Sequence, residues 1–443
     1  MNAPDLVTTL FVTALLGGFL VQAWLAGRQI RHVGAHRAAV PAAFEATVGL
    51  DAHRKAADYA IARERFGLAG SAWGAALLLG WTLLGGLDAL HGWSQGLGQA
   101  WGLGPIVTQL VFLAGCAAVG GVLTLPFSWY ETFRLEQRFG FNRITPAMWV
   151  ADLGKEVLVS ALMLLPLAAL VLALMGAAGP WWWLWAWLAF VGFVLLMQLA
   201  YPTLIAPLFN RFEPLGDEAL ATRVQALMQR CGFRARSLLV MDGSRRSAHS
   251  NAYFTGLGAA KRVVFYDTLL ARLTHAEIEA VLAHELGHFH HRHLLKRMVS
   301  IVVFSGAALA LLGWLSTQTA FYAGLGVQPR PGQPHDALAL QLFLLVLPAF
   351  AFFVIPVFAH FSRRDEFQAD AYASAQASPL ELQGALLKLY QDNASTLTPD
   401  PLYVRFHHSH PPAAQRLAAL ARAASATGQG PGRDGTAPLG AAA

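Results

Sequence analysis

The sequence predicts a mainly helical, polytopic membrane protein of about seven spans, with one α/β insertion outside the bilayer. Three observations predict it. Of 443 residues, 55% are hydrophobic and only 13% charged, where a soluble globular chain carries about 25% charged residues. Apolar runs of about 20 residues, enough to cross a hydrocarbon core, recur from the N-terminus to residue 359. Between the fifth and sixth runs lies a polar stretch, 211–297, that mixes helical periodicity with short strand-like runs.

Taken in order, the first span is 6–27. It is too long for a signal-peptide core and no basic segment precedes it, so it reads as a retained anchor. Residues 66–87 and 104–129 are the second and third spans. Residues 157–210 contain no charged side chain and provide two spans joined by a turn at 176–180, with Trp181, Trp182 and Trp183 suited to an interface. Residues 298–316 and 337–359 are the sixth and seventh. Basic residues gather in alternate loops. Arg28, Arg31, Arg37, Arg54, Lys55, Arg63 and Arg65 lie between the first two spans, and Arg134, Arg138, Arg143 and Lys155 between the third and fourth. By the positive-inside rule, 211–297 and the C-terminus are cytoplasmic and the N-terminus is outside. The net charge of +6 is therefore topological information, and no patch of nucleic-acid type is present. Cys116 and Cys231 stand far apart and form neither a metal-spaced pair nor a disulfide framework.

Within the insertion, 219–231 has helical periodicity, 237–241 and 262–266 read as strands, and 251–257 is extended between them. A strand there can offer its edge to an extended peptide. Thr274 followed by Glu277 is a capping box that starts a helix. That helix carries LAHELGHFHHRH, residues 282–293. His284 and His288, four apart, share a helix face and can present two imidazoles to one metal ion. Glu285 lies beside the first, where its carboxylate can take a proton from a water. Gly287 would let another element approach closely. His290, His291 and His293 read as a polar flank, since a catalytic zinc needs three protein ligands and an open position. The bland alternative is a solvated, His-rich face.

A third ligand must come from elsewhere. The longer pattern with a Gly and a third His fails, because His291 and Leu294 occupy those positions. A carboxylate from a later helix is the other common solution. In SRRDEFQAD, 362–370, Glu366 and Asp370 share one face of a helix expected over 362–391. Glu366 would bind the metal, while Asp370 would support a ligand imidazole or give a proton. Alternatively both acids only pair with Arg363 and Arg364. Beyond residue 423 the Gly-, Ala- and Pro-rich chain reads as a disordered tail.

These residues carry a resemblance. FGFNRIT (139–145), YPTLIAPLFNRFEPL (201–215), HSNAYFTG (249–256), HELGH, SRRDEFQAD, and SHPP (409–412) with Arg416 together resemble the integral-membrane CAAX prenyl proteases, zinc metallopeptidases of the a-factor-converting type. Asp365 stands where an aromatic is common in that family. The resemblance implies one Zn2+ per chain bound by His284, His288 and Glu366, Glu285 as catalytic base and Asp370 assisting. It also implies Asn251 as a contact to the substrate backbone, and His410 and Arg416 as groups that meet an oxyanion or order the site. A large chamber within the helices is implied too.

The expected fold class is thus about seven transmembrane helices with a cytoplasmic α/β zinc-metallopeptidase domain of gluzincin type. Residues 1–210 form a membrane domain, 211–422 a peptidase domain containing two spans, and 423–443 a tail. The expected activity is peptide-bond hydrolysis, removing the C-terminal tripeptide after a prenylated cysteine. The expected partners are a peptide or protein substrate and membrane lipid. The Ala-, Gly- and Trp-rich composition with basic loops reads as bacterial, which places the chain in an inner membrane. A general membrane-protein endopeptidase without a prenyl requirement is the alternative. A metal transporter would have no need of Glu285 or of SHPP, and a protease cutting within the bilayer would not flank its motif with Glu277, Glu279, Arg292 and Lys296.

Overall fold

The computed structural model describes residues 1–255, 261–330 and 332–426. Among them, six helices are long and apolar enough to cross a membrane: Ala3–Ala35, Pro105–Phe139, Pro146–Ala177, Gly179–Phe209, His293–Leu315 and Asp336–Gln376. A seventh span exists if Leu50–Trp81 and Gly86–Trp101, bent by 52° at their junction, count as one. The sequence places one straight span over 66–87, and the structure breaks it there. Thr82 leaves the helix with ψ −96° and Gly85 adopts φ +83°, a left-handed conformation that glycine accepts without steric cost.

Lipid is as apolar as leucine, so spans need not hide their apolar side chains. Leu158, Leu162, Leu196, Val303 and Phe358 accordingly face outward. A core does form inside the helical bundle, around Phe11, Leu87, Phe112, Leu172, Trp182 and Leu342.

The polar insertion folds around a four-stranded sheet: β1 (Phe212–Pro214), β2 (Ser237–Met241), β3 (Ala252–Thr255) and β4 (Arg262–Tyr266), in the order β1-β2-β4-β3. β2 and β4 are parallel, and β3 pairs antiparallel with β4 in the register Ala252↔Phe265 to Thr255↔Arg262. β3 is therefore an edge strand over 252–255. Gly256 and Leu257 of the expected extended segment lie outside the described residues. Leu220, Val224 and Leu227 form one stripe of the helix Glu218–Arg230 and pack into the same core as Phe265, Ile278, Leu282 and Leu417. Phe44 and Val48, from the loop between the first two helices, are buried in that core as well.

Two boundaries differ from expectation. The helix expected over 362–391 is two helices, Ile355–Gln376 and Pro379–Asp392. Ala377 is extended, Ser378 caps the second helix by accepting from the Glu381 N–H, and Pro379 opens it. Proline at the first helical position suits a start and not a continuation. The tail does not begin at 423, because Ala413–Ala426 is one helix. Its alanines favour helix, and Leu417, Leu420 and Ala424 are buried. Residues 427–443 lie outside the described residues.

Candidate metal centre and active site

The site is built where the helix His275–His290 packs against Ile355–Gln376, the latter continuing the last span without leaving the membrane-spanning helix Asp336–Gln376. The capping box is present: Thr274 Oγ1 accepts from the Glu277 N–H and Glu277 Oε2 accepts from the Thr274 N–H at 2.7 Å. Gly287 sets the approach. A Cβ there would meet the Ala369 Cα at 2.9 Å and its carbonyl oxygen at 3.0 Å. Because both are backbone atoms, no side-chain rotation relieves the clash, and Gly287→Ala should cost about 1–3 kcal/mol as overpacking. Thermal unfolding, with metal retention measured beside it, checks this: the variant should unfold at lower temperature and release metal more readily.

One ligand atom from each of His284, His288 and Glu366 lies within 4.8 Å of the other two. His284 Nε2 and His288 Nε2 are 3.3 Å apart, and the Glu366 oxygens are 3.5 Å and 3.4 Å from them. Glu366 is only 2% exposed, and its buried Oε2 has no hydrogen-bond partner.

The outer nitrogens explain the facing of the inner ones. His284 Nδ1 donates to Asp370 Oδ1 at 2.8 Å. His293 Nε2 is 3.0 Å from Gln368 Oε1, to which it can only donate, and 3.3 Å from Asp365. Its Nδ1 must then accept, and the His288 Nδ1–H donates to it at 2.9 Å; these tautomers are assigned from the hydrogen-bond network. Both inner nitrogens consequently carry lone pairs directed at one another and at a carboxylate. Three electron-rich atoms with no proton between them form a cation site, and two imidazoles with a carboxylate suit zinc.

His293 is thus no polar flank. It is 1% exposed, and its contact fixes the orientation of the His288 ring. In an uninterrupted helix its side chain would point about 140° away from that of His288. The chain instead turns at Arg292, in the left-handed conformation at φ +56°, and the next helix brings His293 back beneath His288. Loss of such an outer partner costs about 10–100-fold in metal affinity. His293→Phe should do so in chelator competition, with His293→Gln, which keeps an acceptor, retaining more.

Asp370 lies between two partners. Arg416 donates to it through Nη2 at 2.6 Å and Nε at 2.8 Å, opposite His284. Burial alone would lower the Arg416 pKa, but the Asp370 hydrogen bond and charge raise it instead. Arg363 does not pair with Glu366 or Asp370; it donates to the carbonyls of Val404, Arg405 and His408. His410 Nε2 is 3.3 Å from Glu366 Oε1, while its Nδ1 meets Ser409 Oγ at 2.9 Å. Glu285 lines a cavity of about 130 Å³ with Asn251, His284, Glu366, His410 and Arg416. Burial pushes its carboxyl above the ordinary range and Glu366 adds to this, against the pull of His284 and His288. Asn251, His410 and Arg416 also border a second cavity of about 880 Å³ that reaches Gln22, Gln29, Arg63 and Glu64 on the first two helices. Every residue expected at the site is therefore brought to it; His293 is the addition.

Residues 29–211 match the family described as CAAX prenyl protease N-terminal, five membrane helices, and 214–424 match peptidase family M48. The chain is 36% identical over 324 residues to CAAX prenyl protease 1 homolog of Arabidopsis thaliana, covering 71% of this chain and 74% of that one. It is 32% identical over 440 residues to CAAX prenyl protease 1 homolog of Caenorhabditis elegans, covering 93% and 97%. The crystal structure of S. mikatae Ste24p superposes with a TM-score of 0.86 at 28% identity, covering 95% of this chain and 99% of that one.

Proposed function

This chain belongs to peptidase family M48 and is an integral-membrane metallopeptidase; on that footing we propose that its metal is zinc and that it removes the C-terminal tripeptide after a prenylated cysteine. The observation that carries the reading is the buried Glu366 carboxylate, its Oε2 without a hydrogen bond, converging with two imidazole nitrogens, with Glu285 beside them. His284, His288 and Glu366 would hold the ion. When bound, zinc lowers the pKa of a water and polarises a carbonyl.

The remaining work falls to the chain's own residues. Glu285 removes the water proton and delivers it to the leaving amine. Asp370 is occupied on one side by Arg416 and on the other by His284, so its role is to fix the His284 tautomer and orientation. His410, exposed and close to Glu366, is free to meet the developing oxyanion, while Arg416 orders the two buried acids. The substrate adds to the open edge of β3 near Asn251, its backbone pairing as a further strand.

The basic loops support a cytoplasmic site and an outside N-terminus; the bacterial inner-membrane location rests on the Ala-, Gly- and Trp-rich composition alone. The start of the sheet at Phe212 supports a division into 1–210 and 211–422. A second reading, an endopeptidase with no prenyl requirement, is favoured by the polar side chains Gln22, Gln29, Arg63 and Glu64 on the wall of the larger cavity. Cleavage of a farnesylated CAAX peptide beside its unprenylated twin, by zinc-loaded protein, decides between them. The first reading predicts cleavage of the prenylated peptide alone; equal cleavage of both would move the role to general membrane proteolysis.

A further inference from the structure

A groove of about 570 Å³ lies between the helices Leu50–Trp81 and Pro105–Phe139, away from the active site. Its wall carries Arg65, Arg134 and Arg138, all exposed, and no acidic side chain. Among the described residues none of the three forms a hydrogen bond or ion pair; Arg138 only lies over the Phe139 ring, at 5.4 Å. Arg134 and Arg138 are four apart on one helix, and Arg65 reaches toward them from the other.

The rest of the wall is apolar and aromatic. Phe66 stacks on Tyr130 with ring centroids 5.4 Å apart and leans on Phe127 at 5.9 Å. The two helices are tied together further along by the Trp73 Nε1–H, which donates to the Leu123 carbonyl at 3.0 Å. From Phe66 to Trp81 the first helix has no charged residue, and neither has the second from Pro105 to Tyr130. The groove therefore straddles the line where both helices pass from apolar to charged.

We propose that this groove binds the phosphoryl headgroup of an anionic phospholipid, with Arg65, Arg134 and Arg138 on the phosphate and the Phe66, Phe127 and Tyr130 rings against the upper acyl chain. Three arginines that line one groove with no acid on its wall and no ion pair of their own favour a phosphate, and basic pockets between spans are suited to anionic headgroups. Arg138 does feel the charge of Asp58, but that acid is held by Arg37. An acidic peptide would leave the aromatic wall unused. A zwitterionic lipid would bring a second cation to a cationic groove.

The test is native mass spectrometry of the detergent-purified full chain, stripped of lipid and titrated with phosphatidylglycerol or phosphatidylcholine. Wild type should hold one phosphatidylglycerol per chain more tightly than any phosphatidylcholine. Each single substitution, R65Q, R134Q or R138Q, should weaken that adduct about fivefold and the triple variant about 100-fold. R211Q and R245Q, in a different basic pocket, should leave it unchanged. The proposal is overturned if the three single variants bind as wild type, or if phosphatidylcholine binds equally. It is overturned too if inorganic phosphate or a Glu-rich peptide competes as well as the lipid.

Discussion

Glu285→Gln is expected to keep its metal and lose turnover by about 10²–10⁴-fold, the usual contribution of a positioned general base. The glutamine has the same shape, and Glu285 is not among the three residues whose ligand atoms converge, so neither the ligand set nor the helix contacts change. What changes is that an amide cannot accept the water proton. The loss should therefore fall on kcat with KM nearly unaltered. Metal analysis and steady-state kinetics on one preparation check both halves. A fully active variant that retains metal would remove Glu285 from the chemistry.

Glu366→Gln is expected to be worse for the metal. The carboxylate would be the one anionic ligand of the proposed set, and it is buried among His284, His288, His410 and Arg416. A neutral amide offers a weaker donor and leaves the positive charge of Arg416, 3.5 Å from Oε2, less well balanced. Metal affinity should drop by more than the about 10–100-fold assigned to an outer partner such as His293, and peptide cleavage should go with it. Metal content after dialysis against a graded chelator series measures this. A variant holding metal like wild type would place the third ligand elsewhere.

Much of this was legible in the sequence for identifiable reasons. The helix that bears His284 and His288 announces itself through local chemistry, Thr274 with Glu277 at its start and a four-residue repeat of imidazoles on one face. The strands 237–241 and 262–266 are short, mainly apolar runs bounded by polar residues and emerge at those bounds. Glu366 and Asp370 follow from the need for a third ligand and their four-residue spacing, whereas Asn251, His410 and Arg416 lie far apart along the chain and only the family resemblance connects them with the site before the fold does.

What was missed depends on backbone turns that side-chain pattern does not encode. His293 acquires its role from one left-handed residue, Arg292, and glycine is not there to signal it. The bend between Trp81 and Gly86 was hidden inside an apolar run, where Gly85 and Gly86 pass for ordinary small residues. The break after Gln376 did carry a signal: Ser378, Pro379 and Glu381 have the chemistry of a helix start. Helical periodicity on both sides of it masked that signal.

The metal centre itself is the central claim, and X-ray absorption at the zinc edge of the full chain, loaded with one zinc, tests it most directly. The account predicts two imidazole nitrogens and oxygen donors at about 2.0–2.2 Å with no sulfur, and one imidazole fewer in His288→Ala. A shell of three or more imidazoles, or a spectrum unchanged by that substitution, would place zinc on the other histidines of the 284–293 segment and contradict it.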